Sequence, residues 1–399
     1  MITVAGLKLK NPFVVASGPV TSTIDRLKRV DREGAAGVST KLTLMKLPYK
    51  STMRMYSDPD LYGIICADKR LELDEGLRLV SEGKRKTSLV IFANITHLAE
   101  DLEGWAKMAR LFEDAGADAI EANLNCPNIS LAGKMIGDGK AQSFGGVLGQ
   151  DPILCEHVIG AMKSSVHIPV IGKITCRVAN IADLANACKR GGADGVTVAS
   201  GYPSVPHINI LDHGKPLNPF WSGVSIGSLV SSPASLIQSF ANVATVAKSV
   251  KIPIIGGNGI HTWKDAIELM MWGAHLVTAC SVVMWKGVRV ISSIVKGMES
   301  FLEKQGYSSY EELIGEALPY LMSGSEIHVA PSIAVIHSEK CVSCGKCFEL
   351  GHCDAVKEED GRYVIKTEEC IGCGICAVIC PKEAIGLRSP VQQHSQTVL

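Results

Sequence analysis

Forty residues near the C-terminus, Cys341–Cys380, hold eight of the chain's fourteen cysteines, and this stretch narrows the choice of fold more than any other. It reads CVSCGKCFELGHC from 341 and CIGCGICAVICP from 370. Both halves carry Cys-x2-Cys-x2-Cys. The second closes as Cys-x3-Cys-Pro, whereas the first closes over five residues, Phe348–His352, with no proline after Cys353. Doubled runs of this spacing hold paired 4Fe–4S clusters, the fourth Cys of each run reaching across to the other cluster. The expected ligand sets are therefore Cys341, Cys344, Cys347 and Cys380 for one cluster, and Cys370, Cys373, Cys376 and Cys353 for the other. Three thiolates on a short glycine-containing loop can cap one face of a cubane. A zinc site would need only four ligands and no crossed fourth Cys, and a disulfide framework would need an oxidising compartment. Such a segment moves electrons singly, so the rest of the chain must contain what it feeds or drains.

With 399 residues, of which 46% are hydrophobic, the chain is long enough for one large domain and a small one. Forty basic and forty acidic residues cancel, so nothing points to nucleic acid or to an anionic membrane surface. The start, MITVAGLKLKNPF, lacks the basic and then apolar regions of a secretory signal. The longest apolar run, Leu269–Trp285, is interrupted by Gly273 and His275 and is short for a membrane span. Unpaired cysteines and clusters together suggest a reducing cytoplasm.

Through the first 300 residues, short apolar runs alternate with longer amphipathic ones. Eight strands are expected, at Phe13–Ser17, Gly37–Leu42, Leu89–Ile95, Ala119–Asn125, Val170–Thr175, Gly195–Ser200, Pro253–Gly257 and Leu276–Ser281, each near-continuously apolar as a parallel strand buried on both faces should be. Helical patterns lie between them, for example Leu98–Ala115, Pro152–Ser164 and Ser235–Lys248. The phrases GAAGV (34–38), GADAI (116–120), GADGV (192–196) and GAHLV (273–277) each put a Gly at a helix end just before a strand, where a left-handed residue is needed. Eight βα units of this length predict an α/β fold, the (β/α)8 TIM barrel. A doubly wound sheet is the alternative, but no Gly-x-Gly-x-x-Gly follows the first strand. An amphipathic pair, Val288–Gln305 and Ser309–Met322, would close a barrel domain of residues 1–323. A linker at 324–336, a cluster domain at 337–387 and a polar tail at 388–399 follow.

Barrel enzymes collect their chemistry where strands end. Here those ends carry Ala16-Ser17-Gly18, Thr40-Lys41, Asn123-Leu124-Asn125-Cys126-Pro127-Asn128, Lys173, Ser200-Gly201, Gly256-Gly257-Asn258-Gly259 and Cys280-Ser281. The loops after strands 7 and 8 commonly cradle a phosphate on backbone N–H groups. Two lysines aimed inward from strands 2 and 5 need anionic partners. A phosphate-bearing cofactor satisfies both, and flavin is the usual adapter between one-electron clusters and an organic substrate.

The order ASGP, TK, NLNCPN, GK, GGNG and CS, with GGVLGQDP at 145–152, resembles the dihydroorotate dehydrogenase family, which is built on FMN in a (β/α)8 barrel. The attached two-cluster, ferredoxin-like domain makes the chain similar to the dihydropyrimidine dehydrogenase branch, in the FMN/Fe–S subunit of its bacterial members. That resemblance implies that Ala16, Ser17, Lys41, Asn123 and Lys173 contact the flavin ring and ribityl chain, and that Gly257, Asn258, Gly259, Cys280 and Ser281 hold the phosphate. It implies Cys126 as the proton donor or acceptor opposite the flavin, carried on a lid at 129–148, and Asn125, Asn128 and Ser200 as substrate contacts. An unsaturated carbonyl compound would be reduced, with electrons arriving from a separate NAD(P)H/FAD subunit or a ferredoxin, and two chains would associate.

Plainer readings stand beside these. A Cys at a strand end is often a small buried hydrophobe, the reading given to Cys66, Cys155, Cys176, Cys188 and Cys280 as regards redox chemistry. Lys41 and Lys173 would equally pair with a buried carboxylate such as Glu121. His207, His213 and Trp221 fall in a polar loop over 201–221. Three departures from the family bear on substrate: Ser200-Gly201 stands after strand 6 in place of an Asn-Ser or Asn-Thr pair, Asn125 replaces the usual Ser, and Ile95-Thr96-His97 replaces an Asn-rich turn. Losing those amide partners would cost a pyrimidine about 1–3 kcal/mol for each unpaired group. A non-pyrimidine ring or conjugated carbonyl is therefore the alternative substrate, and a non-catalytic FMN/Fe–S electron relay is the alternative role.

Overall fold

The computed structural model describes residues 1–46, 54–58, 62–67, 70–126, 145–224, 226–230 and 232–389. The chain falls into two compact units, Met1–Leu321 and Met322–Leu399. In the first, eight parallel strands form the barrel: β1 (Phe13–Val15), β2 (Gly37–Ser39), β3 (Val90–Thr96), β4 (Ala119–Asn123), β5 (Val170–Lys173), β6 (Gly195–Val198), β7 (Ile254–Gly257) and β8 (Leu276–Ala279). Each pairs with the next, and β8 returns to β1, so the ring closes without an edge. These are the eight expected strands, seven of them shorter at one end and β3 shifted by one residue. Helices α1 (Ile24–Arg32), α2 (Leu73–Lys86), α3 (Leu102–Asp114), α4 (Pro152–Lys163), α5 (Ile181–Arg190), α6 (Pro233–Ser249), α7 (Trp263–Met271) and α8 (Arg289–Gln305) follow the strands in turn.

Local chemistry sets these boundaries. Helix α3 starts four residues later than the apolar pattern suggests because Asp101 caps it, its Oδ1 accepting from the Gly104 N–H at 2.8 Å. Pro152 and Pro233 occupy first helical positions behind the capping residues Asp151 and Ser232. The four repeated glycines all take positive φ, +92° at Gly34, +92° at Gly116, +89° at Gly192 and +112° at Gly273. In two repeats the Asp that follows ties helix to strand. Asp118 accepts from the Ile91 N–H at 2.7 Å and Asp194 from the Val170 N–H at 2.8 Å, while Lys84 and Lys163 reach the same carboxylates.

Three features differ from expectation. The second closing helix, expected over Ser309–Met322, is two short 3-10 turns, Tyr310–Leu313 and Leu318–Tyr320. Gly315 at φ +79° and Pro319 interrupt it. Strands Arg54–Asp58, Tyr62–Ala67, Gly227–Val230 and Tyr202–Ser204 form an antiparallel sheet that the apolar pattern gave no sign of. The end of the expected linker is structured, since Ile333–Ile336 pairs antiparallel with Ile385–Arg388 inside the second unit. That unit adds a hairpin of Val356–Glu359 with Arg362–Ile365, and its small core holds Ala334, Cys347, Val356, Cys376 and Ile385.

Candidate active site and cluster sites

Strands alternate their side chains between two faces, and in a barrel one face points inward. Along β3 and β4 this places Asn94, Thr96, Glu121 and Asn123 in the interior, all buried. Glu121 is the hub. One of its oxygens takes hydrogen bonds from Ser39 on β2 and Asn94 on β3, and lies 3.9 Å from Lys173 Nζ on β5. Its other oxygen accepts from Thr197 Oγ1 of β6 at 2.8 Å. A carboxylate this deep is tolerated because it is met on every side by donors and one cation. The lysine–carboxylate pairing weighed above therefore holds for Lys173, which at the same time lines the cavity described below.

One layer higher the network reaches the thiol. Asn123 Nδ2 donates to Asn94 Oδ1 at 3.0 Å. The Asn123 Oδ1 atom accepts from the backbone N–H groups of Asn125, at 3.1 Å, and Cys126, at 3.0 Å, bending the chain sharply after β4. Cys126 is half-buried, packed against Leu42 and Leu44, and its Sγ accepts from Arg70 Nη2 at 3.2 Å. Gly145 and Gly146 close over it, and the Gly146 N–H donates to the Cys126 carbonyl at 3.0 Å. A side chain at Gly145 would press on that same carbonyl, its Cβ at 2.5 Å. Asn125 and Ser200 meet each other, Ser200 Oγ donating to Asn125 Oδ1 at 2.7 Å, and Asn258 Nδ2 donates to the Ser200 carbonyl at 3.0 Å. Asn128 and most of the expected lid lie outside the described residues.

Opposite, the ends of β1, β6, β7 and β8 enclose a cavity. Of the residues expected around a flavin nucleotide, Ala16, Ser17, Lys173, Asn258, Gly259, Cys280 and Ser281 line it. Gly257 sits within β7, its Cα facing the Thr278 carbonyl too closely for any side chain. Lys41 is buried on the loop after β2, its N–H on the Thr21 carbonyl at 3.1 Å. Asn258 at φ +74° and Gly259 at φ +89° are consecutive left-handed residues in the glycine-rich loop after β7, and both line the cavity. A Cβ at Gly259 would lie 2.6 Å from the Leu236 backbone, so the loop is fixed by its contact with α6. A glycine-rich loop at one end and a buried Lys at its wall fit a phosphate-bearing, electron-accepting group such as FMN.

In the second unit the cysteines separate into two fours. One cavity is lined by Cys341, Cys344, Cys347 and Cys380, another by Cys353, Cys370, Cys373 and Cys376. Left-handed Gly345, Gly372 and Gly374 let each loop curl round its cavity, and Gly345 leaves room for the Tyr363 ring. The N–H groups of Ala334 and Ala384 donate to Cys370 Sγ and Cys380 Sγ, each at 3.3 Å. Burial, and after it the neighbouring thiols Cys341, Cys344 and Cys380, push the Cys347 thiol up; Cys376 is raised in the same way among Cys373, Cys353 and Cys370. A cationic centre among them would favour the thiolate form instead. Among the described residues no His, Cys, Asp or Glu side chains converge as a single metal ion would require. Each four lines a cavity instead of meeting at a point, which suits a multi-iron body better than one zinc.

Sequence reasoning missed Asn94, Ser39, Thr197 and Arg70. Asn94 and Ser39 carried a signal, because a polar residue two places before another on or just after an apolar strand (Asn94 and Thr96, Ser39 and Lys41) marks an inward face, whereas Thr197 stands alone between Gly195 and Ala199. Arg70 carried none, since it precedes a two-residue strand, Leu71–Glu72, that no periodicity reveals. The plain reading of Cys155 and Cys188 is supported by burial, which pushes Cys155 up to about 12 and Cys188 well above the usual thiol range.

A match to the dihydroorotate dehydrogenase family covers residues 1–302, and one to the 4Fe–4S binding domain covers residues 363–386. The NAD-dependent dihydropyrimidine dehydrogenase subunit PreA of Escherichia coli (strain K12) is 28% identical over 356 residues, 87% of this chain and 84% of the relative. The catalytic subunit of dihydroorotate dehydrogenase B (NAD(+)) from Pyrococcus abyssi is 32% identical over 322 residues, 79% of this chain and 98% of its own length. The same subunit from Methanosarcina acetivorans is 31% identical, again across 79% of this chain. With all eight barrel strands inside the matched span, the chain belongs to the dihydroorotate dehydrogenase family.

Proposed function

We propose that the chain reduces a carbon–carbon double bond conjugated to a carbonyl in a pyrimidine-like ring, with Cys126 as the general acid. The coarser class, an oxidoreductase acting on CH–CH bonds, follows from the family. FMN, when bound, supplies or accepts the hydride. What supports the reading most directly is the Cys126 thiol after β4, its backbone N–H held by Asn123 and its Sγ beside Arg70, in a barrel whose other strand ends line a cavity.

The chain's own residues divide the work. Asn258 and Gly259 bind the phosphate through N–H groups, and Lys173 places a positive charge, partly offset by Glu121, at the cavity wall. Cys126 Sγ delivers the proton to the enolate carbon. Two 4Fe–4S clusters, on the cysteine sets given above, would pass electrons singly from a separate NAD(P)H-oxidising subunit or a ferredoxin. The word "subunit" in the names of relatives fits such a partner, and we place the protein in the cytoplasm. No described helix is long and apolar enough to cross a membrane. Because the Ser200 hydroxyl and the Asn125 carbonyl oxygen bond to each other, a non-pyrimidine conjugated ring is the second substrate reading.

Cys126→Ser is the test. Product formation should fall by about 10²–10⁴, while reduction of the flavin by its donor persists. A variant that keeps full turnover removes Cys126 from the chemistry. One in which the wild type also forms no product, yet passes electrons onward, favours a relay.

A further inference from the structure

The first cysteine run closes over five residues, Phe348–His352, where the second closes over three, and the chemistry described so far makes no use of the difference. The longer closure folds into two turns. The N–H groups of Phe348 and Glu349 donate to the Gly345 carbonyl, at 2.8 Å and 3.1 Å, and the Cys353 N–H donates to the Leu350 carbonyl at 3.4 Å. Leu350 packs on the small core of this unit, and Phe348 lies against Tyr363 with ring centroids 5.6 Å apart. Held by these two apolar anchors, the second turn brings His352 across to the other run. Its Nε2 lies 3.7 Å from Cys373 Sγ, and both residues line the cavity of Cys353, Cys370, Cys373 and Cys376. The three-residue closure of the second run, Ala377–Ile379, carries no polar side chain and continues the helical turn Ile375–Val378.

A sulfur bound to iron has no proton to give, so the contact runs one way: the imidazole N–H donates and the sulfur accepts. Reducing a cluster adds one negative charge. A donor aimed at a ligating sulfur therefore stabilises the reduced form more than the oxidised form and raises the potential. Backbone groups give each set of four such a donor, Ala334 N–H to Cys370 and Ala384 N–H to Cys380. To one set His352 adds a side-chain donor. Charges around the cavities work in the opposite sense. Lys346 and Lys382 line the cavity of Cys341, Cys344, Cys347 and Cys380. In the other, Lys357 is taken up by Glu369 at 3.1 Å, which leaves Asp354. Exposed charges are individually weak, but here they agree in making the second set the harder one to reduce, and the imidazole offsets them.

We infer that His352 is a positioning residue that acts through Cys373, raising the reduction potential of the cluster on Cys353, Cys370, Cys373 and Cys376 so that one donor can fill both clusters. The inference rests on the two cluster sets proposed above and is independent of the role given to Cys126. One electron enters the cluster and one leaves it. No bond to His352 forms or breaks, and its proton stays on Nε2 throughout.

The test is a dithionite titration of the anaerobically prepared full chain, with redox mediators present and the reduced clusters followed by electron paramagnetic resonance. His352→Leu should move one cluster step to lower potential and leave the other in place. The move should be about threefold to tenfold in the ratio of reduced to oxidised cluster, tenfold being about 59 mV for one electron. Cys373 is exposed, so water takes over part of the donation in the variant and limits the loss. His352→Gln, whose amide also donates, should recover part of the shift. Iron per chain should stay at the wild-type value in both variants. Two unmoved steps in His352→Leu overturn the inference, and so does an equal move of both. A Gln variant as low as the Leu variant makes the effect one of packing and overturns it too. Iron lost from both variants makes His352 part of what holds the cluster and removes the donor role. A wild type with a single step would sink the two-set reading. His352 would then be upheld by a shift of that step in His352→Leu and overturned by its staying put.

Discussion

Glu121 receives hydrogen bonds or charge from four side chains on four different strands, so its removal is felt by all of them. Glu121→Ala leaves Lys173 buried beside orphaned Asn94 and Thr197, and breaking a buried pair in this way costs about 3–5 kcal/mol. Urea denaturation should show it as a large fall in the transition midpoint. His275 offers a gentler test. Burial holds its imidazole below the usual range, with the Gly273 backbone opposing, and its Nδ1 accepts from the Ile254 N–H at 3.3 Å. The unfolded chain therefore takes up a proton more readily than the native one as pH falls through the ordinary histidine value. Stability contributed by the neutral ring is present above that value and is lost on acidification toward the lower native one. Between pH 7.5 and pH 5.5 the wild type should lose more thermal stability than His275→Asn, as followed by circular dichroism.

At the scale of the element, the repeated glycines separate backbone strain from crowding. Gly34 has φ +92° and nothing within 4 Å of an added Cβ, whereas a Cβ at Gly273, φ +112°, would meet Ala247 Cβ at 2.5 Å. Gly34→Ala should cost about 1–2 kcal/mol from the left-handed backbone alone, and Gly273→Ala distinctly more, both read as shifts in thermal midpoint. These turns were legible in the sequence because a helix end and a strand start must share one small, left-handed residue. The strands were legible for a similar reason, as short apolar runs bounded by such turns. The sheet of Tyr202–Ser204, Gly227–Val230, Tyr62–Ala67 and Arg54–Asp58 was not, since the pairing that unites its halves, Tyr62–Ala67 with Gly227–Val230, joins segments far apart in the chain. Arg70 was hidden for the same reason: its neighbour Cys126 is 56 positions away.

For the molecule as a whole, the proposed pair of clusters sets an analytical expectation. Anaerobically prepared protein should carry about eight iron atoms per chain, falling toward about four in Cys353→Ser. A wild-type value near four would leave the five-residue closure of the first run without a cluster. The first unit makes a different demand on the folding chain. Glu121 is reconciled with its surroundings only when residues from β2, β3, β5 and β6 arrive in step, and no local segment can satisfy it in advance. A strand that enters the ring two residues out of step keeps the same face inward yet separates the Glu121 carboxylate from its donors, at a cost of several kcal/mol. The acidic residue thus sets the register of the ring, since only the correctly staggered arrangement brings all four partners to it.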